Sequence, residues 1–261
     1  MKIATPISHL FNDPKYSKDL IEISDCLECR DYSIDNNLKR QELFHCDLQP
    51  IHILKDDDFR YLEKIKKIKE SLKLISFHMA SCYDKPVIQN GRFIPGGLLL
   101  TRDKLLENAS KNFKVIKNIF GDKVELAVEN NNYYPTPAYN IVIDSDFITE
   151  TIRTNKINFL FDIAHAAITS FYRRINLQEY IDGLPLNDIR QIHISKVDRN
   201  SKKELFDAHL FPDEKYLLSL KTFLLFPRLR YVTIEYYANA DKLIKSIKYL
   251  REIIHEPEIH S

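Results

Sequence analysis

The sequence predicts an α/β protein that forms a single (β/α)8 barrel over residues 1–261. Its length of 261 residues suits a barrel of this class, which folds as one domain without dividing. Apolar segments typical of strands alternate with segments of helical periodicity. Several of the apolar segments end on a carboxylate or an imidazole, and functional sites in such barrels are built at the carboxyl ends of the strands.

Eight apolar segments are predicted to form the strands of the barrel. In chain order they cover residues 2–6, 20–28, 42–48, 73–79, 123–130, 158–162, 189–196 and 230–237. The connections after the first two strands are polar, and Pro14 disfavours a long helix in the first of them. Irregular crossovers are therefore expected in the amino-terminal part of the barrel.

Six segments carry apolar residues at helical spacing. They cover residues 56–72, 101–120, 143–154, 166–184, 212–226 and 241–254. Thr101 is the predicted cap of the second helix, and its predicted buried stripe is Leu105, Leu106, Phe113, Ile116 and Ile119. Residues 81–100 hold three of the 5 glycines and are expected to form a loop over the barrel mouth.

The composition argues against several classes of partner. Lys and Arg number 38 against 37 Asp and Glu, a net charge of +1, so no overall field favours nucleic acid or an anionic membrane. No apolar run approaches the roughly 18 residues of a membrane span, and the first residues do not resemble a signal peptide, so a cytoplasmic location is expected.

Cys26 and Cys29 have the spacing of a metal knuckle, but they form one isolated pair within a predicted strand. The 4 cysteines are expected to be reduced thiols.

Potential metal ligands recur at or near the ends of predicted strands three to eight. They are His45, His78, Glu129, Asp162, His193 and Glu235, and just beyond the strands follow His165, Asp207 and His209. Nine ligands are too many for one ion, so the pattern predicts two or three divalent metals. Carboxylates crowded at a barrel mouth repel one another unless cations neutralise them. Glu129, Asp162 and Glu235 are the predicted catalytic residues.

The sequence leaves some assignments open. His52 competes with His45 as the first ligand, and His45 is preferred. Buried, salt-bridged carboxylates are the alternative interpretation of Glu129 and Glu235, although unpaired burial is costly. His9, His255 and His260 are expected to be solvated. The residues around the mouth that are predicted to be rim residues or substrate contacts are Lys196, Tyr133, Tyr134, Tyr139, Tyr236 and Tyr237.

Four segments carry a resemblance to a known family. The segments LAVENNNYY, FLFDIAHAAITS, YIDGLPLNDIRQIHISK and DAHLFPDE resemble the multinuclear non-heme iron-dependent oxidases, the family of the methanobactin oxazolone-forming enzyme. This family lies within the xylose-isomerase-like superfamily of TIM barrels, and the similarity extends over roughly residues 40–240. His165 stands where the family usually has asparagine, and in this it resembles the three-zinc abasic-site endonucleases of the same superfamily.

The resemblance implies a trinuclear site and an oxidative reaction. One metal would be held by His45, His78 and Glu129, a second by Glu129, Asp162, His193 and Glu235, and a third by His165, Asp207 and His209. It implies iron as the favoured metal, with zinc or manganese as alternatives, and dioxygen as the oxidant. The implied substrate is a cysteine of a ribosomally made peptide or a small thiol, and a partner protein would present the peptide.

Three other functions are weighed against this one. A three-zinc phosphodiesterase acting on damaged DNA would use the same ligands, but the near-neutral charge argues against a nucleic-acid partner. A sugar isomerase or epimerase would need one ion on Glu129, Asp162, His193 and Glu235. That would leave the other five ligands unexplained. A barrel that serves only as a binding scaffold would need none of them.

Overall fold

A closed barrel of eight parallel strands forms the centre of the protein. The computed structural model describes residues 1–255. The strands in this part of the chain are β1 (Lys2–Pro6), β2 (Cys26–Arg30), β3 (Gln41–Cys46), β4 (Leu74–Phe77), β5 (Val87–Gln89), β6 (Arg92–Ile94), β7 (Glu125–Glu129), β8 (Asn158–Asp162), β9 (Ile189–Ile194), β10 (Lys196–Arg199), β11 (Leu205–Leu210) and β12 (Tyr231–Ile234). The barrel order is β1-β12-β9-β8-β7-β4-β3-β2, and pairing of β1 with β2 closes it. The predicted (β/α)8 class is confirmed.

Helices connect successive barrel strands except β2 and β3, and a further helix follows β12. They are α1 (Pro14–Ile23), α2 (Asp56–Ile68), α3 (Arg102–Phe120), α4 (Ser145–Asn155), α5 (Ile163–Arg173), α6 (Leu177–Asp182), α7 (Glu214–Ser219) and α8 (Ala240–His255). The predicted cap of α3 is confirmed, because the Thr101 hydroxyl accepts a hydrogen bond from the Lys104 N–H. Leu105, Phe113 and Ile116 of its predicted stripe are buried. None of the described helices combines the length and apolar character that crossing a bilayer requires.

The first crossover differs from the prediction. Residues 14–23 form α1, with Pro14 at its first position, where a helix needs no backbone N–H donor. Leu20 to Ile23 therefore belong to a helix, and the second strand begins only at Cys26. The second crossover is irregular, as expected, and contains the 3-10 turn Asp31–Ser33.

Two short hairpins extend the barrel mouth where loops were predicted. β5 and β6 pair antiparallel around Asn90 and Gly91, whose φ angles of 51° and 71° fit a tight hairpin turn. β10 and β11 form the second hairpin, which contains Asp207 and His209. Asp207 pairs with Val197 in this ladder, whereas His209 lies in the irregularity between that pair and the pair Lys196–Leu210 and has a φ of 45°.

Two predicted helices have different boundaries in the structure. The segment predicted as 166–184 is divided into α5 and α6, and the one predicted as 212–226 consists of α7 followed by a 3-10 helix, Lys221–Leu225. α5 begins at Ile163, because the Asp162 side chain caps it. His165, expected just beyond the strand, consequently lies in the first turn of this helix.

Inward-facing side chains fill the barrel in layers. A lower, apolar layer takes one residue from each of seven strands, namely Ala4, Cys26, Leu43, Leu74, Ala127, Leu160 and Tyr231. Because alternate residues of a strand face the same side, residues two positions later form the next layer. That layer is polar and buried, and comprises Glu28, His45, Ser76, Glu129, Asp162 and Thr233. The change from apolar to polar occurs toward the carboxyl ends of the strands.

Candidate metal centre

Glu129, the last residue of β7, lies among three histidines. Its Oε2 is 3.5 Å from His45 Nε2 and 3.2 Å from His78 Nδ1. Its Oε1 is 3.2 Å from His193 Nδ1. His45 stands on β3, His78 directly follows β4 and His193 stands on β9, so barrel closure brings them together. His45, His78 and Glu129 offer donor atoms close enough to hold one metal ion, and this is the first donor group.

The second donor group consists of Glu129, Asp162 and His193. Asp162 ends β8, and its Oδ1 accepts a hydrogen bond of 2.7 Å from the His165 N–H. Asn130 holds the backbone of Asp162 on both sides, with its Nδ2 donating to Asp162 O and its Oδ1 accepting from Asp162 N–H. One carboxylate oxygen of Asp162 is thus used by the helix, and Oδ2 remains for a ligand.

The third donor group consists of Asp207, His209 and Glu235. His209 Nε2 lies 3.1 Å from Glu235 Oε2 and 3.2 Å from Asp207 Oδ2. His165 Nε2 lies 3.5 Å from the same Asp207 oxygen. Glu235 Oε1 also lies 3.2 Å from His193 Nδ1, so Glu235 connects the third group to the second.

Three of the histidines share one arrangement. Each directs one ring nitrogen toward the carboxylates, and the other nitrogen meets a separate polar group: Ser76 Oγ at 2.8 Å from His45 Nδ1, Asn130 O at 2.8 Å from His165 Nδ1, and Glu28 Oε2 at 3.0 Å from His193 Nε2. Metal-binding histidines in proteins are usually held in this way through the nitrogen that does not bind the metal.

Burial and crowding shift the acid–base equilibria of the centre. Burial raises the pKa of Asp162 to about 7, against the opposing charge of His165. Burial also lowers the pKa of His45 to about 4. Burial alone would raise the pKa of Glu129, but positive charge on His45 and His165 holds it well below its ordinary value. Burial thus disfavours the charged form of Asp162, and a cation bound at its carboxylate would offset that effect.

Unpaired atoms test whether a metal ion fits this centre. Within residues 1–255, the buried side-chain atoms that form no hydrogen bond include Glu129 Oε2, Asp162 Oδ2 and His193 Nδ1, one from each member of the second donor group. Leaving such an atom unpaired costs about 1–3 kcal/mol, and a bound cation would remove that cost. Imidazole nitrogens and carboxylate oxygens are also suitable ligands for iron, zinc and manganese. The residues fit a metal ion.

The sequence prediction missed two charged residues of the centre, Glu28 and Arg30. Glu28 is fully buried on β2, and Arg30 ends the same strand. Arg30 Nη2 donates to Glu28 Oε1 at 2.7 Å and also to Glu235 Oε1. Glu28 stands two positions after Cys26 of the apolar layer, so strand alternation contained the signal.

Other predicted residues lie outside the donor groups. His52 Nε2 lies 2.8 Å from Ser81 O, and the structure therefore brings His45, not His52, to Glu129. Lys196 pairs with Asp213 at 2.7 Å. The ring of Tyr237 packs against His209, while Tyr133 and Tyr134 both pack on Tyr139. His9 and His255 are exposed, and His260 lies outside the described residues.

Fold and site together define the class of the protein: it is an enzyme of the xylose-isomerase-like (β/α)8 barrel type. The chain belongs to the RiPP precursor modification enzyme family MbnB/TglH/ChrH, whose model matches residues 53–228. This family acts on precursors of ribosomally made peptides, and the match confirms the resemblance found in the sequence. A comparison with curated proteins gives no match.

Solved structures show the same fold at low identity. 3-Keto-D-glucoside 4-epimerase from E. coli is 14% identical with a TM-score of 0.60, covering 97% of this chain and 98% of its own. D-Psicose 3-epimerase from Clostridium cellulolyticum H10 is 9% identical with a TM-score of 0.56, covering 97% of this chain and 99% of its own. A D-tagatose 3-epimerase-like protein is 17% identical with a TM-score of 0.56, covering 97% and 98%. These similarities establish the fold.

Proposed function

We propose that this enzyme uses two or three metal ions, iron in the first instance, to oxidise a cysteine of a precursor peptide or a small thiol with dioxygen. The observation that carries the proposal is the meeting of three donor groups in one barrel mouth, joined through Glu129 and Glu235. Membership of a peptide-modifying family supports the peptide as substrate.

The proposed ligands of each metal ion follow from the three donor groups. The first ion would be held by His45, His78 and Glu129, the second by Glu129, Asp162, His193 and Glu235, and the third by Asp207 and His209 with His165 and Glu235. When bound, iron would supply the electrons that reduce dioxygen and a Lewis-acid position for the substrate thiolate. Zinc and manganese suit the same donors, so the metal is part of the proposal.

The chain's own residues hold the carboxylates in fixed positions. Glu129, Asp162 and Glu235 are proposed as the catalytic carboxylates. Glu129 contributes both oxygens, one toward His45 and His78 and the other toward His193, so it would hold two ions close together. Asp162 Oδ1 accepts a hydrogen bond from the first turn of α5, so Oδ2 is the oxygen that would bind a cation.

The two hairpins shield one side of the mouth. Arg92 on β6 forms an ion pair of 2.9 Å with Glu204, next to β11, and its guanidinium stacks on Tyr134 at 4.8 Å. The two hairpins, joined by this ion pair, would limit the access of water to the substrate. Apolar side chains exposed on the first hairpin and its base are Val87, Ile88, Leu98 and Leu99. Such a surface suits contact with a peptide or with a partner protein that presents it.

Metal analysis together with oxygen consumption tests the proposal. The protein would be purified without added metal, its metals determined by elemental analysis and located by anomalous scattering. Oxygen uptake would then be followed with a cysteine-containing peptide and with a matched peptide carrying serine instead. At least two iron ions per chain and cysteine-dependent uptake are expected. A zinc-only protein that consumes no oxygen would contradict the oxidase.

A second candidate is a zinc-dependent phosphodiesterase acting on damaged DNA. The observation that favours it is His165, whose Nε2 lies 3.5 Å from Asp207 Oδ2 and so adds an imidazole beside the third donor group. Zinc-loaded protein and an abasic duplex would test it, and strand cleavage abolished by His165→Asn would support it. A single bound ion per chain would instead favour a sugar isomerase or epimerase.

A further inference from the structure

A buried polar network lies beside the second donor group and includes none of the proposed ligands apart from His193 and Glu235. Its centre is Glu28, which is 0% exposed. Glu28 Oε2 lies 3.0 Å from His193 Nε2 and accepts hydrogen bonds from Gln191 Nε2 and from Thr233 Oγ1, the latter at 3.1 Å. A carboxylate buried this deeply, with this many partners, is held in one position.

Glu28 favours a hydrogen on one particular nitrogen of His193. A carboxylate can only accept, so Glu28 is satisfied when the ring hydrogen lies on Nε2. A cation in the second donor group would then meet the lone pair of Nδ1. This atom is buried, forms no hydrogen bond and lies 3.2 Å from both Glu129 Oε1 and Glu235 Oε1. The tautomer that Glu28 selects is the one a metal ligand at Nδ1 requires.

Arg30 fixes the orientation of the other carboxylate. Its Nη2 contacts both Glu28 Oε1, at 2.7 Å, and Glu235 Oε1. The remaining oxygen of Glu235, Oε2, is the one that lies 3.1 Å from His209 in the third donor group. Glu28, His193 and Glu235 lie close enough together to hold an ion themselves, but the guanidinium already supplies a cation between the two carboxylates.

We infer that Glu28 and Arg30 are positioning residues of the metal centre. Glu28 sets the tautomer and ring orientation of His193, and Arg30 holds Glu235 by Oε1, the oxygen beside His193, so that Oε2 stays directed toward the third donor group. This inference rests on the proposed function, because it concerns how that function's ligands are held. It adds β2 to the strands that build the site.

Conservative variants and a matched control test the inference. Glu28→Gln, Arg30→Gln and Arg30→Lys would be compared with Glu125→Gln, which breaks a similar ion pair, to Arg190 at 2.8 Å, at the opposite end of the barrel. Metal content and affinity would be measured by chelator competition, and folding by circular dichroism. Loss of a partner that holds a metal ligand typically weakens metal binding roughly 10- to 100-fold. Glu28→Gln and Arg30→Gln are expected to show this loss, Arg30→Lys to restore part of it, and Glu125→Gln to bind as wild type.

The outcomes separate this inference from the proposed function. Wild-type protein without metal affinity would overturn both. Metal-binding wild type together with folded Glu28→Gln and Arg30→Gln proteins of unchanged affinity would overturn the positioning roles alone. Ring ¹⁵N spectra of zinc-loaded wild type give a readout that does not depend on any variant folding. His193 is expected to carry its hydrogen on Nε2, and a hydrogen on Nδ1 would overturn the role of Glu28.

Discussion

The two oxygens of Glu129 lie beside imidazoles from three strands of the barrel, at 3.2 to 3.5 Å. Nothing within the described chain donates a hydrogen bond to Oε2, although it is buried. At the scale of single residues, the centre is thus a set of side chains whose unpaired polar atoms raise the free energy of the metal-free fold. Because a bound metal would remove this energetic cost, each ligand is expected to contribute to metal binding.

A pair of histidine variants tests the ligand assignment. His45→Ala removes an imidazole beside Glu129 and is expected to weaken metal binding by more than about 100-fold, since loss of mere outer partners already costs roughly 10- to 100-fold. His52→Ala removes a ring that lies beside Ser81 O, and metal binding should be retained. Metal titration of both proteins gives the comparison. Equal losses would contradict the assignment.

The affinity for metal is expected to fall as the pH falls. Burial alone would lower the pKa of His78, but Asp47 and Glu129 outweigh it and raise the pKa to about 9. His78 is therefore protonated in the metal-free protein at neutral pH, and must lose its proton to bind a metal. Binding should release protons and strengthen up to about pH 9. Calorimetry at pH 7 in two buffers of different ionisation enthalpy measures this, and identical apparent enthalpies would argue against it.

The sequence revealed those site residues that end apolar strands. Glu129 and Asp162 each close a run of apolar residues, so their position follows from strand direction alone. Glu28 ends the predicted second strand, but its contact with His193 follows from barrel closure and not from the local sequence. Arg30 was missed because Leu20 to Ile23 alternate like a strand, which moved that predicted strand toward the amino terminus. Helix formation there depends on tertiary contacts of Leu20, which is fully buried, and local periodicity does not report them.

At the scale of secondary-structure elements, the hairpin β5–β6 and the hairpin β10–β11 act together, because Arg92 and Glu204 link them. The sequence did contain a signal for the first hairpin, since Asn-Gly between two short apolar runs is a strong turn signature. Strands of three residues are too short for periodicity to detect. The second hairpin has no comparable turn signature.

Removing the Arg92–Glu204 ion pair tests whether it holds the two hairpins together. Arg92→Ala should lower the free energy of unfolding by less than about 1 kcal/mol, since the ion pair is partly exposed. Amide hydrogen exchange on β6 should nevertheless become faster, because the hairpin loses its attachment. Arg102→Ala, which removes two ion pairs between α3 and α4, is the matched control. Exchange on β6 that is equally slow in both variants would show that the link is not needed.

The whole molecule gathers carboxylates at one end of a nearly neutral chain. The net charge is +1, yet Glu28, Glu129, Asp162, Asp207 and Glu235 all lie within one barrel mouth. The closed barrel could be predicted because eight strand-like segments and their crossovers leave few other arrangements. Convergence of the ligands followed from that closure.

Removal of metal should therefore destabilise the fold. A bound ion at a free concentration 100 times its dissociation constant adds about 2.7 kcal/mol, which for a domain of this size corresponds to a rise of roughly 5–10 °C in Tm. Adding a chelator to metal-loaded protein should lower Tm by this amount, as measured by scanning calorimetry. The same chelator added to metal-stripped protein is the control, and it should leave Tm unchanged. A Tm insensitive to metal would place the ions outside the folded core.

The pairing of β1 with β12 has a consequence for biosynthesis. Glu235 directly follows β12, and β12 closes the barrel between β1 and β9. Until β12 has emerged, the nascent chain has an open sheet, and His193 lacks Glu235 beside it. Metal binding at the second and third donor groups thus requires that β12 has been synthesised and has paired with β1 and β9.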